Sequence, residues 1–145
     1  QLGADPRFLC LPALPDSLEE KRLLCSTEVY HQIQRQWDQI DTALVNIDNY
    51  PSSPNFASLV RHGDLLQRHH ACGRMLVYYF NEDGTVIQSD QDFAIQVPLE
   101  TLRRCPNIVG VCSANTSAKA LRGALRSGIL THIVARANLA QTLLS

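Results

Sequence analysis

The feature that most constrains the fold is the regular exchange of short apolar runs and capped helical segments over residues 99–144. Leu99–Arg104 reads as a short helix stopped before Pro106, and Ile108–Cys112 as a strand. Thr116–Arg126 reads as a helix ended by Gly128, Ile129–Val134 as a strand and Asn138–Leu144 as a last helix. Strands that alternate with helices, and are apolar along their whole length, predict a parallel α/β sheet with helices on both faces. Upstream the pattern is looser. Phe8–Leu11 is an apolar strand-like run closed by Pro12 and Pro15, Asp16 or Ser17 caps a first helix, and Ser26 or Thr27 caps a second that runs to Trp37. Residues 42–47 (TALVNI) form another buried strand, and a weaker helix is expected between Phe56 and His70. Met75–Phe80 (MLVYYF), the turn N-E-D-G at 81–84 and the following TVIQ make a β-hairpin excursion.

Composition narrows the class. The 145 residues suit one domain, and 45% hydrophobic with 19% charged residues excludes a disordered chain or a fibre. No apolar run reaches the roughly 18 residues of a membrane span, so no membrane is expected as a partner. The start QLGADPRFLCLPALP lacks the pattern of a signal peptide and reads as the interior of a longer polypeptide. Five scattered cysteines (Cys10, Cys25, Cys72, Cys105 and Cys112) without a C-x-x-C pair point to a reducing, cytoplasmic setting rather than to disulfides or zinc. Cys10 and Cys112, in apolar runs, are expected to act as small core residues. His62, His69 and His70 have no carboxylate at a matching helical offset and are read as surface polar residues.

The formal net charge of −1 conceals a division: all fourteen Asp and Glu residues lie within residues 1–100, whereas Arg103, Arg104, Lys119, Arg122, Arg126 and Arg136 stand in an acid-free C-terminal third. Such a bias serves an anionic ligand, a neighbouring subunit, or simply the acidic remainder of the same fold. Direct nucleic-acid binding by this region is not supported, since there is no basic block and no zinc-finger or helix-turn-helix spacing.

Ligands of open α/β sheets bind beyond the carboxyl ends of the strands, where helix N-termini offer unpaired N–H groups. Two segments answer to that position. Ser113-Ala114-Asn115-Thr116-Ser117 follows a strand and opens a helix whose basic stripe is Lys119, Arg122 and Arg126; it is either a phosphate or hydroxyl cradle or plain helix capping, and the residues leave both open. Asn46-Ile47-Asp48 ends TALVNI and is either a hydroxyl-binding pair or an Asx turn. No G-x-S-x-G, H-E-x-x-H, Walker A or G-x-G-x-x-G occurs, so nothing in the residues signals an enzyme.

Taken in order, FLCLPALPDSLEEKRLLCSTEVYHQI, DTALVNI, SLVRHGDL, FNEDGTV and, above all, VPLETLRRCPNIVGVCSANTSAKALRGALRSGILTHIVARANLAQTLL resemble the effector-binding domain of the SorC family of bacterial transcription regulators, a sugar-responsive, DeoR-related group. The resemblance implies a Rossmann-like, mostly parallel sheet similar to ribose-5-phosphate isomerase and glucosamine-6-phosphate deaminase. It further implies non-catalytic binding of a sugar or sugar phosphate, without a cofactor, that alters operator DNA binding through a homodimer or homotetramer. Residues 1–145 would be the C-terminal part of that single domain, with its first strand and phosphate loop, and then a helix-turn-helix domain, preceding Gln1. The positions matching the family's ligand groups are Asn46 and Asp48, Arg61, Gly73 and Arg74, the loop Ser113, Ala114, Asn115, Thr116 and Ser117 with Lys119, and Arg136. Arg74 and Arg136 stand where the family carries acids, which favours a more anionic ligand such as a sugar acid or a bisphosphate. The competing classes are a sugar-phosphate isomerase or deaminase of the same fold, and an oligomerisation module that has lost its ligand.

Overall fold

The computed structural model describes residues 3–52, 62–90 and 92–144. Their elements run α1 (Leu18–Cys25), α2 (Glu28–Trp37), β1 (Thr42–Asn49), α3 (Gly63–Arg68), β2 (Ala71–Met75), β3 (Tyr78–Asn81) and β4 (Val86–Ile87). There follow α4 (Leu99–Arg104), β5 (Asn107–Cys112), α5 (Ala118–Arg126), β6 (His132–Val134) and α6 (Ala137–Leu144). Arg61, and the part of the expected 56–70 helix before His62, lie outside the described residues.

The expected caps start three of the helices. Ser17 Oγ accepts from Glu20 N at 3.0 Å, Thr27 Oγ1 from Tyr30 N at 3.3 Å, and Ser117 Oγ from Ala120 N at 3.2 Å. Each satisfies one of the N–H groups that a first helical turn leaves without a partner. Gly128 follows α5 at φ +68, the left-handed position that ends a helix.

The six strands form one sheet in the order β4-β3-β2-β1-β5-β6. The α/β class holds, but the sheet is mixed rather than mostly parallel. β1, β5 and β6 pair in parallel, while β2 runs antiparallel to β1 and continues through β3 to β4 as a meander. The cause lies inside MLVYYF, which is two strands and not one. Met75 pairs with Tyr78 across a two-residue loop, Leu76-Val77, with Leu76 at φ +54 and Val77 N donating to Gln96 Oε1 at 2.9 Å. Glycine or asparagine usually fills such a left-handed loop position, so a leucine there hides the turn.

Register separates the faces. Val45, Ile47, Met75, Phe80 and Ile108 form one face, packed under Leu99 and Leu102 of α4, Ala120, Leu121 and Ala124 of α5, and Leu139 of α6. On the other face Leu66 of α3 covers Tyr50 and Tyr79, beside the antiparallel half. Over β1, β5 and β6 that second face is open: Leu44 is 75% and Val134 56% exposed. Among the described residues, helices therefore cover both faces of only part of the sheet. Phe8–Leu11 is not a strand among the described residues; Phe8 is 73% exposed and Cys10 is exposed rather than in the core. The strand expected over 129–134 is limited to His132–Val134.

Candidate functional site

The carboxyl ends of β1 and β5 lie side by side, with Ile47 level with Cys112, and the segment between β5 and α5 folds back over β1. Thr116, 5% exposed, donates from Oγ1 to Ile47 O at 3.0 Å and pins the loop to the sheet. Within the loop Thr116 N donates to Ser113 O at 3.3 Å, and Asn115 N to Ser113 Oγ at 3.3 Å. The main clamp is Asn49, the last residue of β1. Its Nδ2 donates to Asn115 O and its Oδ1 accepts from Ser117 N, both at 2.8 Å. With Ser117 N and Ala120 N so engaged, the N–H groups of Ala118 and Lys119 make no hydrogen bond to another described residue. They remain the anion-receptive end of α5.

A cavity of about 1940 Å³ opens beside this end, with Asn49, Cys72, Ser117, Lys119, Arg122 and Glu82 on its wall. It exceeds the roughly 300–1,000 Å³ of a typical small-molecule pocket. Lys119 is exposed and makes no ion pair with a described residue. Its neighbours on the basic stripe are held: Arg122 by Glu82, and Arg126 by Asp83 at 3.8 Å and by Glu82 O at 3.3 Å. The acidic turn between β3 and β4 thus complements the cationic helix α5, which accounts for part of the charge division along the chain.

The sheet divides the expected ligand residues into two groups. Ser117 and Lys119 stand on the cavity wall. Asn46, Asp48 and Arg74 belong to the opposite face, with Asp48 Oδ2 and Arg74 Nη2 in an ion pair at 3.2 Å and Asn46 exposed. Ser113, Ala114 and Asn115 are exposed on the loop, and Arg136 donates to Ala114 O. Gly73 contacts no open space: a Cβ there would lie 2.7 Å from the Phe80 ring and 3.0 Å from Ala120 Cβ. Glycine at 73 is required by packing between β2, Phe80 and α5. Arg74 and Arg136, which the sequence suggests as recruits for an anion, both hold protein partners.

Two residues of the site escape the sequence reading. Asn49 falls in the polar string NIDNYPSSPN, where any amide passes for a loop residue; its place at a strand's carboxyl end is the available signal. Cys72 donates from Sγ to Lys119 O at 3.5 Å, and burial, then the nearby Glu82, push its thiol up to about 11. Burial also raises Cys112. Neither thiol is a nucleophile near neutral pH. Among the described residues no group of His, Cys, Asp and Glu has the arrangement to hold a metal, and no helix is long and apolar enough to cross a membrane.

Comparison with known proteins bears on this geometry directly. The family model described as "Putative sugar-binding domain" matches residues 1–145. The chain belongs to that sugar-binding domain family. Among solved structures it is similar to the full-length sorbitol operon regulator SorC from Klebsiella pneumoniae, with 21% identity, TM-score 0.80, and 92% of this chain and 44% of that one covered. It is also similar to a transcriptional regulator from Streptococcus pneumoniae TIGR4, with 16% identity, TM-score 0.81 and coverages of 95% and 55%. A DeoR family transcriptional regulator from Listeria monocytogenes gives 21% identity, TM-score 0.78 and coverages of 93% and 57%. These likenesses establish the fold, and the chain spans about half the length of each structure. The resemblance to SorC and DeoR-related effector domains read from the sequence is borne out. No curated protein matches the chain.

Proposed function

We propose that this chain is the C-terminal part of an effector domain that binds a sugar phosphate without turning it over, within a cytoplasmic, DNA-binding transcription regulator. Membership of the sugar-binding domain family supports the ligand class, and the similar structures, each a regulator, support the setting. The observation that carries the site is the end of α5: Ser117 and Lys119 line the cavity, the N–H groups of Ala118 and Lys119 make no hydrogen bond to another described residue, and Asn49 holds the loop. That set suits one phosphate. A second anionic group has less to meet, because Arg74 and Arg136 are engaged by Asp48 and Ala114 O. The sugar hydroxyls are left to Asn49, Ser117 and the polar cavity wall.

Effector binding alters operator affinity only if the phosphate binds the DNA-competent and released oligomers unequally. The homodimer or homotetramer and the separate helix-turn-helix domain are parts of this proposal. An isomerase or deaminase of the same fold is the competing reading, and it requires a general base at the bound sugar. Melting of the native protein with a panel of sugar phosphates tests the site. At a ligand concentration about 100 times Kd, stabilisation of about 2.7 kcal/mol is expected. Ser117→Asp, which sets a carboxylate against the phosphate, should abolish it; retained stabilisation would count against the site, and conversion of the sugar would favour the enzyme.

A further inference from the structure

The turn between β3 and β4 is closed without the side chain of Glu82. Gly84 N donates to Asn81 O at 3.0 Å, and Asn81 Oδ1 accepts from Asp83 N at 3.1 Å and from Thr85 N at 2.9 Å. Packing fixes the turn against α5, since a Cβ at Gly123 would run into Asn81 O and one at Gly84 into the Arg126 backbone. The Glu82 carboxylate instead accepts from Arg122 Nη1, and both side chains are about one-third exposed. An ion pair this open to water adds little stability. Glu82 and Arg122 line the same cavity as Ser117 and Lys119. Arg122 follows Lys119 by three positions on α5, so the two cations are neighbours on one helix face, with Cβ atoms about 5–6 Å apart. A phosphate at Lys119 therefore has a second cation beside it, and that cation is already occupied by a carboxylate of the protein.

We propose that Glu82 is a specificity-determining residue: by occupying the Arg122 guanidinium it makes the cavity accept a sugar bearing one phosphate and disfavour a sugar bisphosphate or a phosphorylated sugar acid. A second anionic group that reaches Arg122 has to displace Glu82 or lie against its charge. A lone phosphate at Lys119 largely escapes that cost, so the carboxylate discriminates by repelling the wrong ligand rather than by gripping the right one. The inference deepens the proposed function and rests on its placing of the phosphate at the end of α5.

Calorimetric titration of the full-length protein with inorganic phosphate and with pyrophosphate, at fixed ionic strength, tests this on the anion site alone. Glu82→Gln keeps the size of the side chain and removes its charge. It is expected to tighten pyrophosphate at least about tenfold and phosphate no more than about threefold. Glu82→Gln combined with Arg122→Ala restores the parent's net charge, and is expected to return pyrophosphate to within about threefold of the parent. Equal gains for the two anions overturn the proposal, because a carboxylate that weakens every nearby anion alike does not select. An unchanged pyrophosphate affinity, a gain that survives the loss of Arg122, or no binding of either anion by Glu82→Gln overturns it too. If the double variant does not fold, the ratio of the two gains in Glu82→Gln decides. The sugar-phosphate panel separates this inference from the reading beneath it. Sugar phosphates that stabilise the parent, with no selective pyrophosphate gain in Glu82→Gln, leave the effector reading and remove the role of Glu82; a selective gain with no response to any sugar phosphate does the reverse.

Discussion

The two halves of the sheet differ in what they are for. The antiparallel half, β2 to β4, is packed hard: Gly73 lies beneath Phe80, and the tip of the meander presses on α5 so closely that a Cβ at Gly84 would lie 2.3 Å from the Arg126 backbone. The parallel half, β1 with β5 and β6, is less enclosed, and the loop at its carboxyl edge is held by hydrogen bonds rather than by apolar burial. One half is a buttress that fixes α5 from the side. The other carries the loop that leads into α5, whose Ala118 and Lys119 N–H groups make no hydrogen bond to another described residue. The difference teaches that the basic stripe of α5 is mainly structural, since Glu82 and Asp83 hold Arg122 and Arg126, and that Lys119 alone of the three makes no ion pair with a described residue.

This contrast can be broken at several points. Phe80→Ala should have the largest effect, about 3–5 kcal/mol lost in urea unfolding, because Phe80 is fully buried between β2 and α5. A loss under 1 kcal/mol would remove the buttress from the account. Gly84→Ala should cost about 2 kcal/mol, combining a left-handed φ of +88 with a clash against the backbone of Arg126. Both act on stability and should leave any surviving folded protein able to bind.

Asn49→Ala should do the reverse. Two hydrogen bonds are lost for about 1–2 kcal/mol of stability, but sugar-phosphate stabilisation should largely disappear as Ser117 and the end of α5 lose their tether. Equal ligand response in Asn49→Ala and the parent would show that the clamp does not position the site. Glu82→Gln should cost only about 0.5 kcal/mol, since both partners of its ion pair with Arg122 are about one-third exposed. The smallest effect at neutral pH concerns the cavity thiol, whose contribution changes only in alkali. The folded Cys72 pKa is raised, so its neutral form is retained between about 9 and about 11 while the unfolded thiol ionises. Stability is then lost as pH rises through that window, and Cys72→Ala should flatten the decline; an identical alkaline profile would refute the burial of this thiol.

The parallel half was the more legible in the sequence, and for physical reasons. Its strands carry apolar runs, α4 follows Pro98, α5 begins at the Ser117 cap and Gly128 marks a stop, so residues 99–144 carry their own punctuation. The antiparallel half was misread at one residue. Leu76 adopts a left-handed turn conformation without being glycine or asparagine, so the period of the apolar run gave no break at the point where the chain reverses. Phe8–Leu11 failed differently: its composition is that of a strand, but a ladder needs a partner that composition does not reveal.

The site was legible as a neighbourhood and less so as a set of contacts. Helix opening after a strand is enough to locate Ser113–Ser117, and Ser117 and Lys119 do reach the cavity. Spacing could not tell that Asp48 and Arg74 pair with each other across β1 and β2 on the far face, because that depends on the antiparallel register. Asn49 was missed for the same reason: both of its partners lie more than sixty residues away in the chain.

The most direct test of the central claim is a titration of the native protein with sugar phosphates, followed through the backbone amide resonances. The account predicts that the amides of Ala118 and Lys119 shift most, that Lys119→Ala weakens the response by about tenfold, the effect of about 1.4 kcal/mol from one lost charge-assisted contact, and that the sugar is recovered unchanged. Shifts confined to the opposite face around Asn46 and Asp48, with Ala118 and Lys119 still, would contradict it.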